Sequence, residues 1–369
     1  MTGRRFRLNL NLRKNMSFRP ISEIGEFGLI DRLTRLAGPT LGSTPGLLEG
    51  IGDDCAVYRP GPSLLEVATT DLLLENVHFD LLTTPMHHLG SKAISVSVSD
   101  ICAMNALPRY ALVSIAVPRN ISVEMVEALY AGMCHAAARY GLAIAGGDTS
   151  FSHAGLMISV AMTGEVAEKQ LTRRRGARPG DLVCVTGTLG GAAAGLRVLQ
   201  RERNLMMELL AGNEPYDRNV MVELEEYAGV IRCQLLPEAR QDIVHFLHGK
   251  SLVPTAMIDV SDGLCADLGH LCGRSSVGAH IREGSIPVQP QTRMVADEFQ
   301  EDAITWALSG GEDYQLLFTL PRELHETVSA HRDVSVIGEI TPPGEGIMMT
   351  DIFGMSIDLA ALGGFDHFR

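Results

Sequence analysis

The chain has 369 residues, 46% hydrophobic and 20% charged, enough for one large or two ordinary domains with filled cores. The formal charge of the whole chain is -13, from 31 basic and 44 acidic residues. The first nineteen residues hold six of the basic residues and no acid, so the rest of the chain has 25 bases against 44 acids. So acidic a chain argues against generic binding to nucleic acid or anionic membrane. It has no uncharged eighteen-residue apolar stretch and no CxxC pair. We therefore expect a cytoplasmic protein without a membrane span, disulfide framework or zinc site.

The elements are taken in chain order, beginning with a basic segment. Residues 1–19 lack an apolar face and are predicted to be a disordered leader, with Met16 as an alternative start. The apolar spacing from Phe27 to Leu36 predicts a first amphipathic helix.

Strand and helix patterns then alternate up to a basic, glycine- and proline-containing stretch at 173–181. Predicted strands cover 64–70, 110–117, 142–145 and 156–166, and predicted helices cover 89–106 and 123–140. This alternation indicates a mixed α/β half, and we place a domain boundary near residue 167.

The second half repeats this style, with strands at 182–186, 256–260, 314–320 and 334–340 and helices at 189–200, 264–272 and 323–331. A polar, helical insertion is predicted over 201–250. The expected architecture is therefore α/β with two domains, 20–167 and 168–369.

The usual nucleotide motifs are missing from the sequence. Gly249-Lys250-Ser251 resembles the end of a P-loop, but Val244 stands where its first glycine is needed, and there is no GxGxxG. The chain instead carries acids at predicted element ends: Asp53, Asp54, Asp71, Asp100, Asp148, Asp259, Asp262, Glu312 and Asp313. Carboxylates suit Mg²⁺, which can bridge them to a polyphosphate that they would otherwise repel.

Each acid also has a structural explanation. Asp71 and Asp148, taken singly, fit helix caps or turn residues. Asp100 lies in an apolar, small-residue helix, where a buried carboxylate needs a cation or a metal. Asp259 and Asp262 flank a strand-to-helix turn, a spacing that favours a metal over a simple cap.

Three other features leave two interpretations open. The turn 187–191 fits close helix packing better than phosphate binding. The three arginines at 173–175 fit either a solvated loop or a segment that binds a phosphate group through bidentate hydrogen bonds. His78 binds a substrate or caps a loop.

Eight strings in order resemble the thiamine-monophosphate kinase family, within the aminoimidazole-ribotide synthetase-like ATP-using enzymes. They cover 26–30, 50–56, 70–79, 99–104, 146–149, 258–264, 309–314 and 365–368. The resemblance implies two α/β halves, with the N-terminal halves pairing strands across a homodimer and ATP in a cleft between subunits or halves.

The resemblance also implies roles for individual residues. Several Mg²⁺ ions would be held by Asp53, Thr69, Thr70, Asp71, Asp100, Asp148, Asp259 and Asp262. Four of these, Asp53, Asp100, Asp148 and Asp262, would be catalytic. ATP would meet Tyr130, Gly147, Asp148, Arg174 and Ser261, and thiamine phosphate would meet His78, Glu312 and Phe365.

The implied reaction is direct in-line phosphoryl transfer from ATP to thiamine phosphate, giving thiamine diphosphate. The acceptor phosphate is already ionised, so the site needs positioning and charge neutralisation rather than a strong base. The alternatives are another ATP-dependent synthetase of the superfamily, or a non-catalytic dimer that binds nucleotide and metal.

Overall fold

The computed structural model describes Gly28 and residues 47–49, 53–59, 64–211 and 224–359. The predicted leader, Phe365 and all of the first predicted helix except Gly28 lie outside the described residues.

The N-terminal part forms a six-stranded sheet in the order β1-β2-β3-β6-β4-β5. Its strands are β1 (Leu47–Glu49), β2 (Ala56–Tyr58), β3 (Leu65–Leu74), β4 (Leu107–Val117), β5 (Ala143–Phe151) and β6 (Met157–Val166). Neighbouring strands run antiparallel, except that β4 and β5 are parallel. Buried and exposed residues alternate along β4, so one face of the sheet packs on the core and the other faces outward.

Two helices, α1 (Met86–Ala103) and α2 (Val123–Tyr140), pack against each other beside the sheet. The crossing is close because it uses glycines: a Cβ on Gly90 would lie 1.9 Å from the carbonyl oxygen of Leu129. Ser122 caps α2 by accepting a hydrogen bond from the backbone N–H of Met125, and Gly141 ends the helix in the left-handed conformation.

The C-terminal part forms a seven-stranded sheet in the order β13-β12-β9-β11-β7-β10-β8. Its strands are β7 (Leu182–Thr186), β8 (Ala256–Val260), β9 (Gly278–Arg282), β10 (Gln315–Leu320), β11 (Val334–Thr341), β12 (Ile347–Thr350) and β13 (Ser356–Asp358). The pair β9 and β12 is parallel and the other pairs are antiparallel.

Seven further helices belong to the second part: α3 (Gly191–Ala211), α4 (Ala228–Leu235), α5 (Gln241–Gly249), α6 (Leu264–Ser275), α7 (Pro290–Phe299), α8 (Ala303–Ser309) and α9 (His325–Ser329). Helix α3 continues past residue 200, where the sequence predicted its end, and the described part of the predicted insertion is helical.

Helix α1 joins the two parts. Its buried Ile94 and Ile101 share one hydrophobic cluster with Met257 of β8 and Phe318 of β10. Residues 45–365 form one compact unit, and the predicted boundary at residue 167 stays a prediction.

The prediction of a mixed α/β fold with two sheets is confirmed. Among the predicted strands, β5 differs instructively from its expected bounds: it continues through Gly147 instead of ending at residue 145. Glycine usually weakens a strand, but here a Cβ would lie 1.8 Å from the carbonyl oxygen of Val113 on β4, so the close pairing requires it. Across the described residues, no helix is both long and apolar enough to span a bilayer.

Candidate active site

Three carboxylates from distant parts of the chain meet where α1 crosses the C-terminal sheet. One oxygen from each of Asp54, Asp100 and Asp259 lies within 4.8 Å of the others. Asp54 precedes β2, Asp100 lies on α1 and Asp259 on β8. We call these three residues the acid cluster.

Neutral hydroxyl groups and one arginine surround the acid cluster. Thr69 Oγ1 donates to Asp100 (2.5 Å), and Ser99 Oγ donates to Asp259 (2.8 Å). The guanidinium of Arg174 binds both oxygens of Asp54, at 2.7 and 2.8 Å. A single cation therefore faces three acids in this part of the described chain.

Burial and mutual repulsion raise the pKa of Asp259 and Asp100 in the acid cluster and of the neighbouring Asp53. Burial raises the pKa of Asp259 to about 8, with the charge of Asp54 adding to the effect. Burial, together with Asp71, Asp259 and Asp54, raises the pKa of Asp100 well above its usual range. Burial beside Asp54 raises the pKa of Asp53 to about 6. Carboxyls that resist ionisation in this way gain from a nearby positive charge.

The donor set fits a hard divalent cation. It consists of oxygen ligands, with carboxylates from three separate parts of the chain whose oxygens lie within 4.8 Å of one another. Asp71 lies on the same strand face as Thr69 and accepts a hydrogen bond from Ser97 Oγ of α1 (2.5 Å). Burial raises its pKa as well. The residues present are therefore suited to Mg²⁺.

The β8–α6 turn is held by a buried carboxylate that the sequence did not single out. Asp267 accepts hydrogen bonds from the backbone N–H groups of Ser261 and Asp262, both at 3.1 Å. Burial raises the pKa of Asp267 well above its usual range. Asp267 therefore fixes the backbone of the turn. The side chain of Asp262 is only half-buried and remains accessible.

The structure separates the three consecutive arginines. Arg173 and Arg175 both bind Glu49, at 3.0 and 2.7 Å, while Arg174 binds Asp54 in the acid cluster. The backbone N–H of Arg174 also donates to Asp53. Arg174 is thus the member of the triplet that faces the predicted metal ligands.

A cavity of about 710 Å³ contains two of the predicted substrate residues, His78 and Glu312. Its lining combines apolar side chains, Phe79, Leu235 and Phe299 among them, with a larger number of polar and charged side chains, so it can contact both the apolar and the polar parts of an organic ligand. We call it the organic cavity. The His78 Nδ1 accepts a hydrogen bond from the backbone N–H of Leu74 (3.0 Å), so the neutral ring carries its proton on Nε2.

The organic cavity adjoins the β8–α6 turn. The backbone N–H of Glu312 donates to the carbonyl oxygen of Ser261 (2.8 Å). The approach requires a glycine before it, because a Cβ on Gly311 would lie 2.5 Å from that same oxygen. Helix α1 also links the two regions, since its Lys92 lines the cavity and Asp100 belongs to the acid cluster.

Other predicted residues lie away from the acid cluster. The register aligns Asp148 with Ser114, and both are exposed; Thr70 is exposed on β3 between Thr69 and Asp71. Strand alternation therefore puts Thr70 and Asp148 on the sheet face opposite α1. Tyr130 is half-buried on α2 and packs against the main core.

The turn at 187–191 binds one of the chain's own carboxylates. Asp313 accepts hydrogen bonds from the backbone N–H groups of Gly190 (2.6 Å) and Ala192 (3.2 Å) at the start of α3. Burial raises the pKa of Asp313 to about 7. The close-packing interpretation of this turn therefore describes it better than phosphate binding does.

Sequence reasoning ranked Asp53 above Asp54 and overlooked Lys92. Asp54 stands beside Asp53 with no pattern to separate them, and packing alone decides which joins the acid cluster. Lys92 carried a usable signal, because a lysine within the small and apolar residues 89–96 needs a buried partner.

Comparison with known proteins places this geometry in a class. Residues 52–166, which carry the N-terminal sheet with α1 and α2, match the family model described as AIR synthase related protein, N-terminal domain. The hydrogenase maturation protein HypE, 20% identical with a TM-score of 0.63, shares the fold.

The full-length similarities are more specific. Thiamine-monophosphate kinase of Aquifex aeolicus is 37% identical over 89% of this chain and 95% of its own length, and that of Bacillus subtilis is 32% identical over 87% and 93%. The solved structure of AaThiL complexed with AMPPCP and TMP has a TM-score of 0.77 and 34% identity, covering 96% of this chain and 100% of that one. This chain belongs to the thiamine-monophosphate kinase family, which confirms the resemblance found in the sequence.

Proposed function

We propose that this protein transfers the γ-phosphoryl group of ATP to the phosphate of thiamine monophosphate, giving ADP and thiamine diphosphate. The observation that carries the proposal is the direct backbone link between the organic cavity and the turn beside the acid cluster, through Glu312 and Ser261. Family membership supports it, as does the binding of AMPPCP and TMP by the related AaThiL.

Mg²⁺ is the proposed cofactor. Its proposed ligands are the predicted set, Asp53, Thr69, Thr70, Asp71, Asp100, Asp148, Asp259 and Asp262, with Asp54 added from the geometry. Bound divalent cations supply positive charge for the phosphates and for the transferring phosphoryl group.

The protein's own groups bind and orient the two substrates. Arg174 presents a planar fork that suits phosphate oxygens, and Ser261 and Gly147 offer backbone to the nucleotide. His78 lines the organic cavity, and Glu312 presents to it a carboxylate that Gln234 orients. These groups hold two ionised phosphates in line, which is the main requirement when the acceptor needs no base.

We also propose a homodimer that pairs the outward faces of the N-terminal sheets. Leu72, Tyr110 and Leu112 lie on this face and are each 53% exposed. Thr70 and Asp148 share the face, so pairing would bring them under a second copy. A cytoplasmic location remains a prediction from the sequence.

The reaction is tested by supplying ATP and Mg²⁺ with thiamine phosphate, thiamine, or the formylglycinamidine ribotide used by AIR synthases. We expect ADP and thiamine diphosphate in equal amounts with thiamine phosphate and little turnover with the other two. Turnover of the ribotide alone would favour the synthetase alternative. Nucleotide binding with no acceptor-dependent ADP would favour the non-catalytic dimer.

The dimer is tested by Leu112→Arg, measured by light scattering. A charge on the paired face should give monomers, while the matched change Met355→Arg, at a residue 65% exposed on the β12–β13 loop, should leave the dimer intact. A monomeric wild type would contradict the proposed pairing.

A further inference from the structure

A buried lysine contacts Glu312, the carboxylate of the protein that is proposed to bind the substrate. Lys92 of α1 is 2% exposed, and its Nζ lies 2.9 Å from Glu312 Oε1. The same Nζ donates to the carbonyl oxygen of Gln234 at the end of α4 (3.2 Å). Burying an ammonium group is expensive, so this arrangement depends on the partners that surround it.

The second oxygen of Glu312 is also held. Gln234 Nε2 donates to Glu312 Oε2 at 2.5 Å, so lysine and amide bind the two carboxylate oxygens separately. The backbone of Glu312 adopts φ +67°, unusual for a residue with a side chain, and its N–H is bound to Ser261. Glu312 is thus fixed by α1, by α4 and by the β8–α6 turn.

This geometry changes what Glu312 offers a ligand. Lys92 balances the negative charge of Glu312. Glu312 therefore does not act as an unpaired anion toward the cationic ring of thiamine phosphate. It offers carboxylate lone pairs in a fixed direction, beside an ammonium whose hydrogen bonds are directed to the protein.

We infer that Lys92 and Gln234 are positioning residues that orient and neutralise Glu312 for recognition of the organic part of the acceptor. The inference rests on the proposed function, which names that acceptor as thiamine phosphate. Both residues lie on helices that pack beside the cavity, and neither belongs to the acid cluster. Removing either side chain should therefore weaken binding of the acceptor and leave binding of ATP unchanged.

The experiment measures both KM values, kcat and Tm for Lys92→Met, Gln234→Leu and Glu312→Gln, and for the double variant Lys92→Met with Glu312→Gln. We expect each single variant to raise the KM for thiamine phosphate by about tenfold or more, with the KM for ATP nearly unchanged. The double variant removes both charges, so it should recover the Tm lost by Lys92→Met without recovering the KM, and the effects on KM should be less than additive.

Arg240→Met is the matched control, since Arg240 is a buried cation paired with Asp242 outside this cavity. It should lower Tm and leave the acceptor KM unchanged. Should Lys92→Met fail to fold, Gln234→Leu decides, because it removes a neutral side chain.

A wild type that does not phosphorylate thiamine phosphate would overturn the proposed function and this inference with it. An active wild type whose folded variants keep the acceptor KM, or raise both KM values equally, would overturn the inference alone.

Discussion

The acid cluster and the organic cavity lie side by side, yet they balance charge in opposite ways. In the acid cluster three carboxylates face hydroxyl groups and a single guanidinium, and the pKa values of Asp100 and Asp259 rise. In the cavity Lys92 and Gln234 bind both oxygens of Glu312. The first region is electrostatically incomplete and suits added cations, whereas the second is internally balanced and suits an organic group. Phosphate chemistry and ring recognition are thereby separated.

The largest effect on the difference between the two regions is expected from Asp100→Asn. We expect kcat to fall by at least about 100-fold, the scale on which one electrostatic partner of a transition state counts. Without Mg²⁺ the Tm should hold or rise, because one buried carboxyl that repels its neighbours is gone. Enzyme assays and thermal unfolding measure the two effects.

Asp313→Asn is its control, because Asp313 is also a buried carboxyl with a raised pKa, but it caps α3. Asn keeps one of the two oxygens that accept hydrogen bonds from Gly190 and Ala192, so the free energy of unfolding should fall by about 1 kcal/mol while kcat is unchanged. If Asp100→Asn instead lowered Tm and kept activity, Asp100 would be a structural residue.

A smaller effect is expected from Arg174→Lys. Lysine cannot form the two-pronged contact that Arg174 makes with Asp54, and we expect the KM for ATP to rise about tenfold. Arg173→Lys should stay within about twofold of wild type, because Arg173 binds Glu49 outside the acid cluster and lysine keeps a positive charge beside that carboxylate. Equal effects at the two positions would contradict the distinct role of Arg174.

The smallest effect is a pH dependence of stability. Because the folded pKa of Asp259 is raised to about 8, the metal-free folded state binds more protons than the unfolded state, and this group's contribution to stability falls as pH rises from about 4 to 8. Mg²⁺ competes with those protons, so its stabilisation should be larger at about pH 8.5 than at about pH 6.

Calorimetry with and without Mg²⁺ at each pH measures this. We expect the Mg²⁺-induced rise in Tm to grow by a few degrees, about 2–4 °C per kcal/mol, and Asp259→Asn to reduce that growth. A rise that is the same at both pH values would show that protons and Mg²⁺ do not share the acid cluster.

The sequence predicted the alternation of elements well because buried strands and amphipathic helices carry strong periodic patterns. Helix α2 has the predicted bounds, and β7 and β8 match as well. It missed the short elements β1, β2, β9, β12, β13, α7 and α8, and it ended β5 at the glycines that close pairing requires. Local propensity points away from a strand there, and only the neighbouring β4 explains it.

Site residues were harder to predict because their roles depend on which side chains meet. Asp100 was predicted to need a cation or a metal because its helix is apolar, and Asp259 was predicted to be a ligand from its spacing to Asp262; the structure brings the two together. Asp54 and Lys92 depend on contacts with Arg174 and Glu312, each more than a hundred residues away in sequence. No local sequence pattern encodes which distant residues pair, so these contacts can be read only from the folded structure.

The placement of Lys92 and Asp100 on one helix constrains how this family can evolve. They are eight positions apart, about 12 Å along the axis, and one inserted residue would turn Asp100 by about 100° away from its partners. Insertions and deletions between them are therefore not tolerable. We expect length variation among homologues to fall in the loops flanking α1, and a chimaera between relatives to function only when this helix is exchanged as a whole.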